Sequence, residues 1–335
     1  MQYKVALVGG GNMGSVHARH WQAQPDVDLA AVLDPHRDQI KIDGKPHYKD
    51  WKTMLAEVKP DIIDVCTPTS HHREYVEMAS AEGLAIFCEK PLSRTMADCD
   101  AIVDAVAKSG VPFMGGHVLR WFPEYAAGKR LLDSGAVGKP ATVRTARMSG
   151  FPGLGRPGNW YGDYKQSGGV ILDLILHDFD WLRWCFGEVE RVYAKGLETV
   201  VKYQGKLDYA LVTLRFKSGV VGHVTGSWAH PSGFRTTYEI AGDTGIVDHD
   251  SARSVPLTIA KRAEEQAGGA GAVTLPRSPM DPSDDPYRGE LSAFIRALRA
   301  GETPPVTVYD AREAVRIALA AVESVETGKA VTVNG

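Results

Sequence analysis

Three short stretches of this 335-residue sequence carry residue types whose spacing can do chemistry. The first is Gly9-x-Gly11-x-x-Gly14, which follows an apolar run and opens a helical pattern. In that setting the first glycine permits a tight turn, the second lets a phosphate approach the backbone, and the third lets helix and strand pack closely. Amides near Asn12 and Met13 would then face a pyrophosphate. Asp34 ends the next apolar run, where a carboxylate accepts hydrogen bonds from ribose hydroxyls. A nicotinamide or flavin dinucleotide is the expected ligand. The carboxylate repels a 2′-phosphate and so favours NAD over NADP. Arg37 keeps NADP open, because a nearby arginine accepts that phosphate or stacks on adenine, unless it is a plain solvated loop cation.

The second stretch, Glu89-Lys90-Pro91, comes directly after the apolar run Ala85 to Cys88. Lys90 is therefore expected at a carboxyl-terminal strand end, the edge at which open α/β sheets bind ligands, with Pro91 biasing its backbone toward an extended form. The third runs from Gly168 to Asp180 and reads as one helix, apolar nearly all round. Asp173, His177 and Asp180 fall at i, i+4 and i+7, a narrow polar stripe that either closes on itself as a structural network or lines a cavity. Metal ligation by this stripe is not expected, because no further Cys or His cluster has metal-site spacing.

These residues need elements to hold them. Strand-like runs at Tyr3 to Val8, Leu29 to Leu33, Ile62 to Cys66, Ala85 to Cys88 and Val111 to Met114 alternate with helical stretches, three of them Ser15 to Gln22, Arg73 to Ala81 and Ala97 to Ser109. That alternation implies a doubly wound parallel sheet. After about Gly116 strands follow one another: Ala141 to Met148, Val189 to Glu198, Tyr209 to Phe216, Val220 to Trp228 and Thr236 to Ile240. A large, mostly antiparallel open sheet in an α+β domain fits. Ala263 to Gly271 reads as a loop or hairpin tip, and helices are expected at Tyr287 to Ala300 and Asp310 to Thr327. The expected division is a Rossmann domain over residues 1–117 and a substrate-binding and oligomerisation domain over 118–335.

Composition excludes several classes. Hydrophobic residues at 44% and charged residues at 24% are ordinary for a folded globular chain. A net charge of −3 without long like-charge runs argues against nucleic acid as a partner. No signal-peptide pattern and no long apolar span are visible, so no membrane is expected and the compartment is expected to be cytoplasmic. Cys66, Cys88, Cys99 and Cys185 form no CxxC pair and are expected to be free thiols.

Taken in order, GGGNMG, Thr67-Pro68 with His72, Glu89-Lys90-Pro91, Arg120 with Pro123, SGG with Asp173 and His177, and Pro286-Tyr287 to Gly328 resemble the Gfo/Idh/MocA family over nearly the whole chain. The resemblance implies a Rossmann domain joined to an open-sheet α/β domain, NAD as cofactor, and a sugar, inositol or related polyol as substrate, with nicotinamide and substrate meeting between the domains. It implies that Lys90, Asp173 and His177 are catalytic, that Thr67, Pro68 and His72 form the turn beside the nicotinamide, and that Glu89 is the motif glutamate. Thr69 stands where relatives frequently have Asn. Chemically, oxidising a secondary alcohol needs a base for the hydroxyl proton as hydride leaves, and histidine suits that task. His177 is the expected base, Asp173 its orienting partner, and Lys90 the polariser of the reacting oxygen.

Arg120, Trp160 and His230 are the candidate substrate residues, each with an alternative as a hinge brace, a packing residue or a loop residue. His17 and His20 read as ordinary surface or core residues. Two relatives of the dehydrogenase reading stay open: a glycosidase that recycles its NAD, and a non-catalytic corepressor-like NAD-binding protein. The open face of the second sheet implies a homodimer or homotetramer.

Overall fold

Caps and apolar periodicity account for most of the elements. A computed structural model describes residues 2–38, 40, 42, 44–152, 160–198, 207–231, 233–253, 257–261, 271–275 and 285–333. Two units emerge, one from residues 1–121 and 283–315, the other from 122–282 and 316–335.

The first unit runs β1 (Tyr3–Val8), α1 (Asn12–Gln22), β2 (Val27–Leu33), β3 (His47–Tyr48), α2 (Trp51–Val58), β4 (Ile62–Val65), α3 (His72–Ala81), β5 (Ala85–Glu89), α4 (Met96–Ser109) and β6 (Phe113–Gly116). Its six strands are ordered β3-β2-β1-β4-β5-β6. Every pairing is parallel, as expected for strands buried on both faces and joined by helices. Stop signals are explicit. Asp50 and Thr95 cap α2 and α4 by accepting the Thr53 and Asp98 amides, and Gly110 closes α4 with φ +69°. The short β3 and α2 carry too few apolar repeats to be seen in the sequence.

The second unit begins with α5 (Pro123–Asp133) and β7 (Pro140–Met148), then α6 (Tyr164–Ser167), α7 (Gly169–Asp173) and α8 (Leu176–Phe186). Strands β8 (Val189–Leu197), β9 (Tyr209–Phe216), β10 (Val221–Ser227), β11 (Arg235–Gly242), β12 (Gly245–Asp250), β13 (Leu257–Lys261) and β14 (Gly271–Leu275) follow. With the terminal β15 (Val331–Thr332) they form a nine-stranded sheet ordered β14-β13-β12-β11-β7-β10-β9-β8-β15. All its pairings are antiparallel except β7 with β10. One face is apolar and covered: Ile175 and Val170 meet the backbone at Gly226, and Phe186 packs on Phe216. The expected loop Ala263 to Gly271 lies outside the described residues except at Gly271, which opens β14.

Two findings depart from the sequence reading. The expected single helix carrying Asp173, His177 and Asp180 is interrupted: α7 ends at Asp173 and α8 begins at Leu176. Leu174 and Ile175 both donate to the Val170 carbonyl, and Asp178 takes the shorter path to Ile175. The stripe therefore does not run along one regular helix. Apolar residues on both sides of the break hid it.

The second finding concerns α9 (Pro286–Ala300), which belongs to the first unit. Leu291, Phe294 and Ile295 join Val5, Leu7, Trp21 and Phe87 in one core. Helix α10 (Val308–Thr327) starts in the first unit, and its residues from 316 onward belong to the second. Among the described residues no helix is long and apolar enough to cross a membrane.

Candidate active site

The glycine turn does what its spacing requires. Gly9 sits at φ +101°, and a Cβ there would lie 2.7 Å from the Cys66 carbonyl group. A Cβ on Gly14 would fall 2.0 Å from the Gly9 carbonyl oxygen, so the third glycine is demanded by helix-on-strand packing. Gly11 differs. A Cβ there meets only the Arg37 guanidinium, at 3.7 Å, so what its missing side chain leaves open is space rather than protein. Gly11 caps α1, whose first amides, Asn12 and Met13 among them, lack carbonyl partners within the helix. Such an end attracts a phosphate.

Asp34 is buried beside this turn. One oxygen accepts the Gly10 amide at 2.9 Å, and the other accepts the His36 and Arg37 amides at 3.0 Å. The Arg37 guanidinium lies 3.6 Å from the same carboxylate and is largely solvated. Gly9, Gly11, Asp34, Arg37, Thr67 and Pro68 are among the residues lining a cavity of about 410 Å³. The buried Thr67 hydroxyl has no hydrogen-bond partner among the described residues. A cavity with an open glycine, a helix end, a carboxylate and an unmatched hydroxyl fits a dinucleotide.

His72, placed by the resemblance in the turn beside the nicotinamide, is fully buried behind that turn. Its ring nitrogens lie 2.9 Å from the Pro91 carbonyl and 3.0 Å from the Thr67 carbonyl. It ties the turn after β4 to the loop after β5. Burial pulls its pKa down, although both carbonyls favour the protonated ring.

Lys90 follows the last residue of β5, as expected of a strand-end lysine, and is half-buried. Its backbone amide donates to Glu89 Oε2 at 2.9 Å. Glu89 itself is buried, and its other oxygen meets His17 Nε2 at 3.0 Å. His17, which the sequence presents as an unremarkable helix residue, is thus the hub of a buried polar cluster. Nδ1 lies 2.9 Å from Asp64, and Trp21 also donates to Asp64 at 2.7 Å.

The second unit holds the other expected residues. Asp173 is buried at the end of α7 and His177 is half-buried in the first turn of α8. Asp180 is buried on the same helix. Asp178, next to His177, accepts from Arg147 at 2.6 Å with both side chains buried, which pins the start of α8 to β7. Trp160 stacks on Tyr161 at 4.2 Å, and Tyr161 meets Trp228 edge-on. His230 is half-buried and its amide donates to the Ser149 carbonyl. Arg120 stays within the first unit, buried, donating to the Pro305 carbonyl at 3.0 Å and lying 3.9 Å from Asp310. These contacts tie it to the segment that leads into α10.

Among the described residues, the side chains close enough together to ligate a metal ion surround His17, not Asp173 and His177. The four cysteines form no disulfide, and burial raises the thiol pKa of Cys66, Cys88 and Cys99, the last to about 12.

Residues 3–117 match the GFO/IDH/MocA oxidoreductase family's NAD-binding Rossmann fold, and residues 125–248 match the GFO/IDH/MocA C-terminal domain. Myo-inositol 2-dehydrogenase of Thermotoga maritima is 31% identical over 98% of each chain. D-apiose dehydrogenase of Paraburkholderia graminis is 28% identical over 98% of this chain and 89% of its own. The solved myo-inositol 2-dehydrogenase of Lactobacillus plantarum superposes with a TM-score of 0.84 over the whole of both chains, a likeness of fold at 24% identity. The chain belongs to the GFO/IDH/MocA family of NAD-dependent oxidoreductases.

Proposed function

We propose that this protein oxidises a secondary hydroxyl of a sugar, inositol or related polyol, or reduces the matching ketone. The observation that carries the reading is a pair of chemically suited sites: Lys90 fixed at the end of a Rossmann strand, and a buried acid, Asp173, at the end of α7 with the half-buried His177 just across the break, in the first turn of α8. NAD, when bound, supplies the hydride acceptor.

In this account His177 takes the hydroxyl proton in the oxidative direction and returns it in the reductive one. Asp173 orients the imidazole and stabilises its protonated form, and Lys90 donates a hydrogen bond to the reacting oxygen. Gly9, Gly11, Asn12 and Met13 hold the pyrophosphate, with Gly14 letting α1 pack close beneath the turn, Asp34 and Arg37 hold the adenosine ribose side, and Thr67 and Pro68 the nicotinamide side. Arg120, Trp160 and His230 remain proposed substrate residues, with bracing of its own unit as the alternative for Arg120.

The substrate class is supported by the names of the relatives, an inositol and an apiose dehydrogenase. A panel of myo-inositol, D-apiose and sugar acids with NAD, followed at the reduced-nicotinamide absorbance, tests it. NADH formation with a member of the panel is the expected result. Tight NAD binding with no NADH from any member would favour the cofactor-recycling or corepressor-like readings instead.

We further propose a cytoplasmic homodimer or homotetramer. Three free cysteines kept buried suit a reducing compartment. On the outer sheet face Tyr193, Leu197 and Leu211 are 40%, 57% and 44% exposed, and Lys195 pairs with Leu211 between the other two. Such an apolar stripe is better buried against another copy than left in water.

A further inference from the structure

We propose that His17 is a positioning residue for Lys90: as an imidazolium bonded to two carboxylates, it holds Glu89 in the one orientation whose second oxygen fixes the Lys90 amide. The inference rests on the reading that Lys90 polarises the reacting oxygen.

The geometry is a linear relay inside the first unit. Asp64 on β4 accepts from His17 Nδ1 at 2.9 Å and from Trp21 at 2.7 Å. His17 Nε2 faces Glu89 Oε1 at 3.0 Å, and Glu89 Oε2 receives the Lys90 amide at 2.9 Å. His17 and Asp64 are wholly buried. A carboxylate on each ring nitrogen requires a proton on each, because a neutral imidazole would present a lone pair to one of them.

Every element packed around His17 contributes to its state. Asp64 and Cys66 approach from β4 and its end, Glu89 from β5, Glu290 and the Tyr287 ring from α9, with Asp285 and His20 further out. Burial opposes the imidazolium, yet the Asp64 charge and hydrogen bonds raise the His17 pKa well above its ordinary value. Burial likewise opposes charge on Glu89, but the bond from His17 and the charges of His17 and Lys90 hold its pKa below the usual range. Glu290 is the balance. It is fully buried, neither oxygen has a hydrogen-bond partner among the described residues, and burial with the Glu89 charge nearby pushes its carboxyl pKa well above the ordinary value.

The function that follows is orientation. Lys90 has a flexible four-carbon stem, and a catalytic ammonium must be held to within fractions of an ångström. Fixing its backbone removes the slack at the root of that stem.

The test compares wild type with His17→Gln, which keeps a donor but cannot carry the charge. In wild type, nitrogen shifts of the His17 ring should show both nitrogens protonated beyond pH 7. In His17→Gln the Lys90 amide should exchange with solvent at least about tenfold faster while the other β5 amides keep their protection. Turnover of the best panel substrate should fall at least about tenfold in kcat, with KM and NAD affinity within about threefold. A neutral His17, a stoichiometric metal in the purified protein, or an unchanged Lys90 amide would overturn the proposal. The ring measurement stands even where His17→Gln does not fold. Full turnover by Lys90→Met would instead sink the role assigned to Lys90 and leave the amide and ring results standing.

Discussion

Asp34 Oδ2 accepts the Gly10 amide at 2.9 Å, so the residue directly after β2 is hydrogen-bonded to the middle of the glycine turn. One carboxylate thereby shapes the glycine turn, and in the proposed cofactor site it would also supply the charge that disfavours a 2′-phosphate. Asp34→Asn keeps an acceptor for the turn and loses the charge. Charge-assisted hydrogen bonds of this kind contribute roughly 1.5–3 kcal/mol, so NAD affinity should fall by about ten- to a hundredfold. NADP affinity should rise, with Arg37 freed from its carboxylate. Titration of wild type and Asp34→Asn with both nucleotides checks this, and an unchanged NAD to NADP ratio would refute it.

The glycines of the turn should separate packing from binding. Gly14→Ala places a methyl against the Gly9 carbonyl and cannot fit without moving backbone. It should lower the melting temperature by several degrees and abolish NAD binding. Gly11→Ala has room within the protein and should melt like wild type, yet bind NAD at least about tenfold more weakly. Equal melting temperatures for the two variants would contradict the assignment of separate jobs.

Stability should fall on the alkaline side because of the His17 cluster. Glu290 has a folded pKa raised above its ordinary 4.5, so its share of stability is complete below 4.5 and lost as pH rises through the folded value. His17 is raised above 6.5, so its contribution is complete below 6.5 and lost as pH climbs through its own folded value. Glu290→Gln mimics the neutral acid and removes that group's pH dependence. Its melting temperature relative to wild type should increase with pH, by at most about 1.4 kcal/mol of stability per unit. A difference that stays flat from pH 5 to pH 9 would show that Glu290 is not a buried neutral acid.

Charging the outer face of the sheet should separate the copies. Leu211→Lys combined with Tyr193→Glu replaces the apolar stripe with polar groups on strands whose inner faces are untouched. Light scattering on the eluting protein should show the wild type as a dimer or tetramer and the double variant as a smaller species. Identical masses would place the oligomer contact elsewhere.

The parts legible in the sequence are those written in local spacing. The glycine turn, Asp34 at the end of β2 and Lys90 at the end of β5 all depend on neighbours a few residues away or on a short apolar run. The break between α7 and α8 was hidden because Leu174 and Ile175 are as apolar as a helix interior requires. The His17 cluster was hidden for a different reason. Its partners Asp64 and Glu89 lie 47 and 72 residues away, and nothing in the pattern of α1 marks one buried histidine as charged. Glu290 is further still, on a helix whose membership of the first unit only the packing of Leu291, Phe294 and Ile295 reveals.

The most direct measurement is NADH formation from the substrate panel by wild type, Lys90→Met and His177→Ala, alongside NAD affinity for each. Wild type should turn over, both variants should keep NAD affinity within about threefold, and kcat should fall by at least about a hundredfold in each, the usual scale for removing a proton-transfer group or an oxyanion-stabilising donor. Turnover near the wild-type level in either variant would contradict the proposed function.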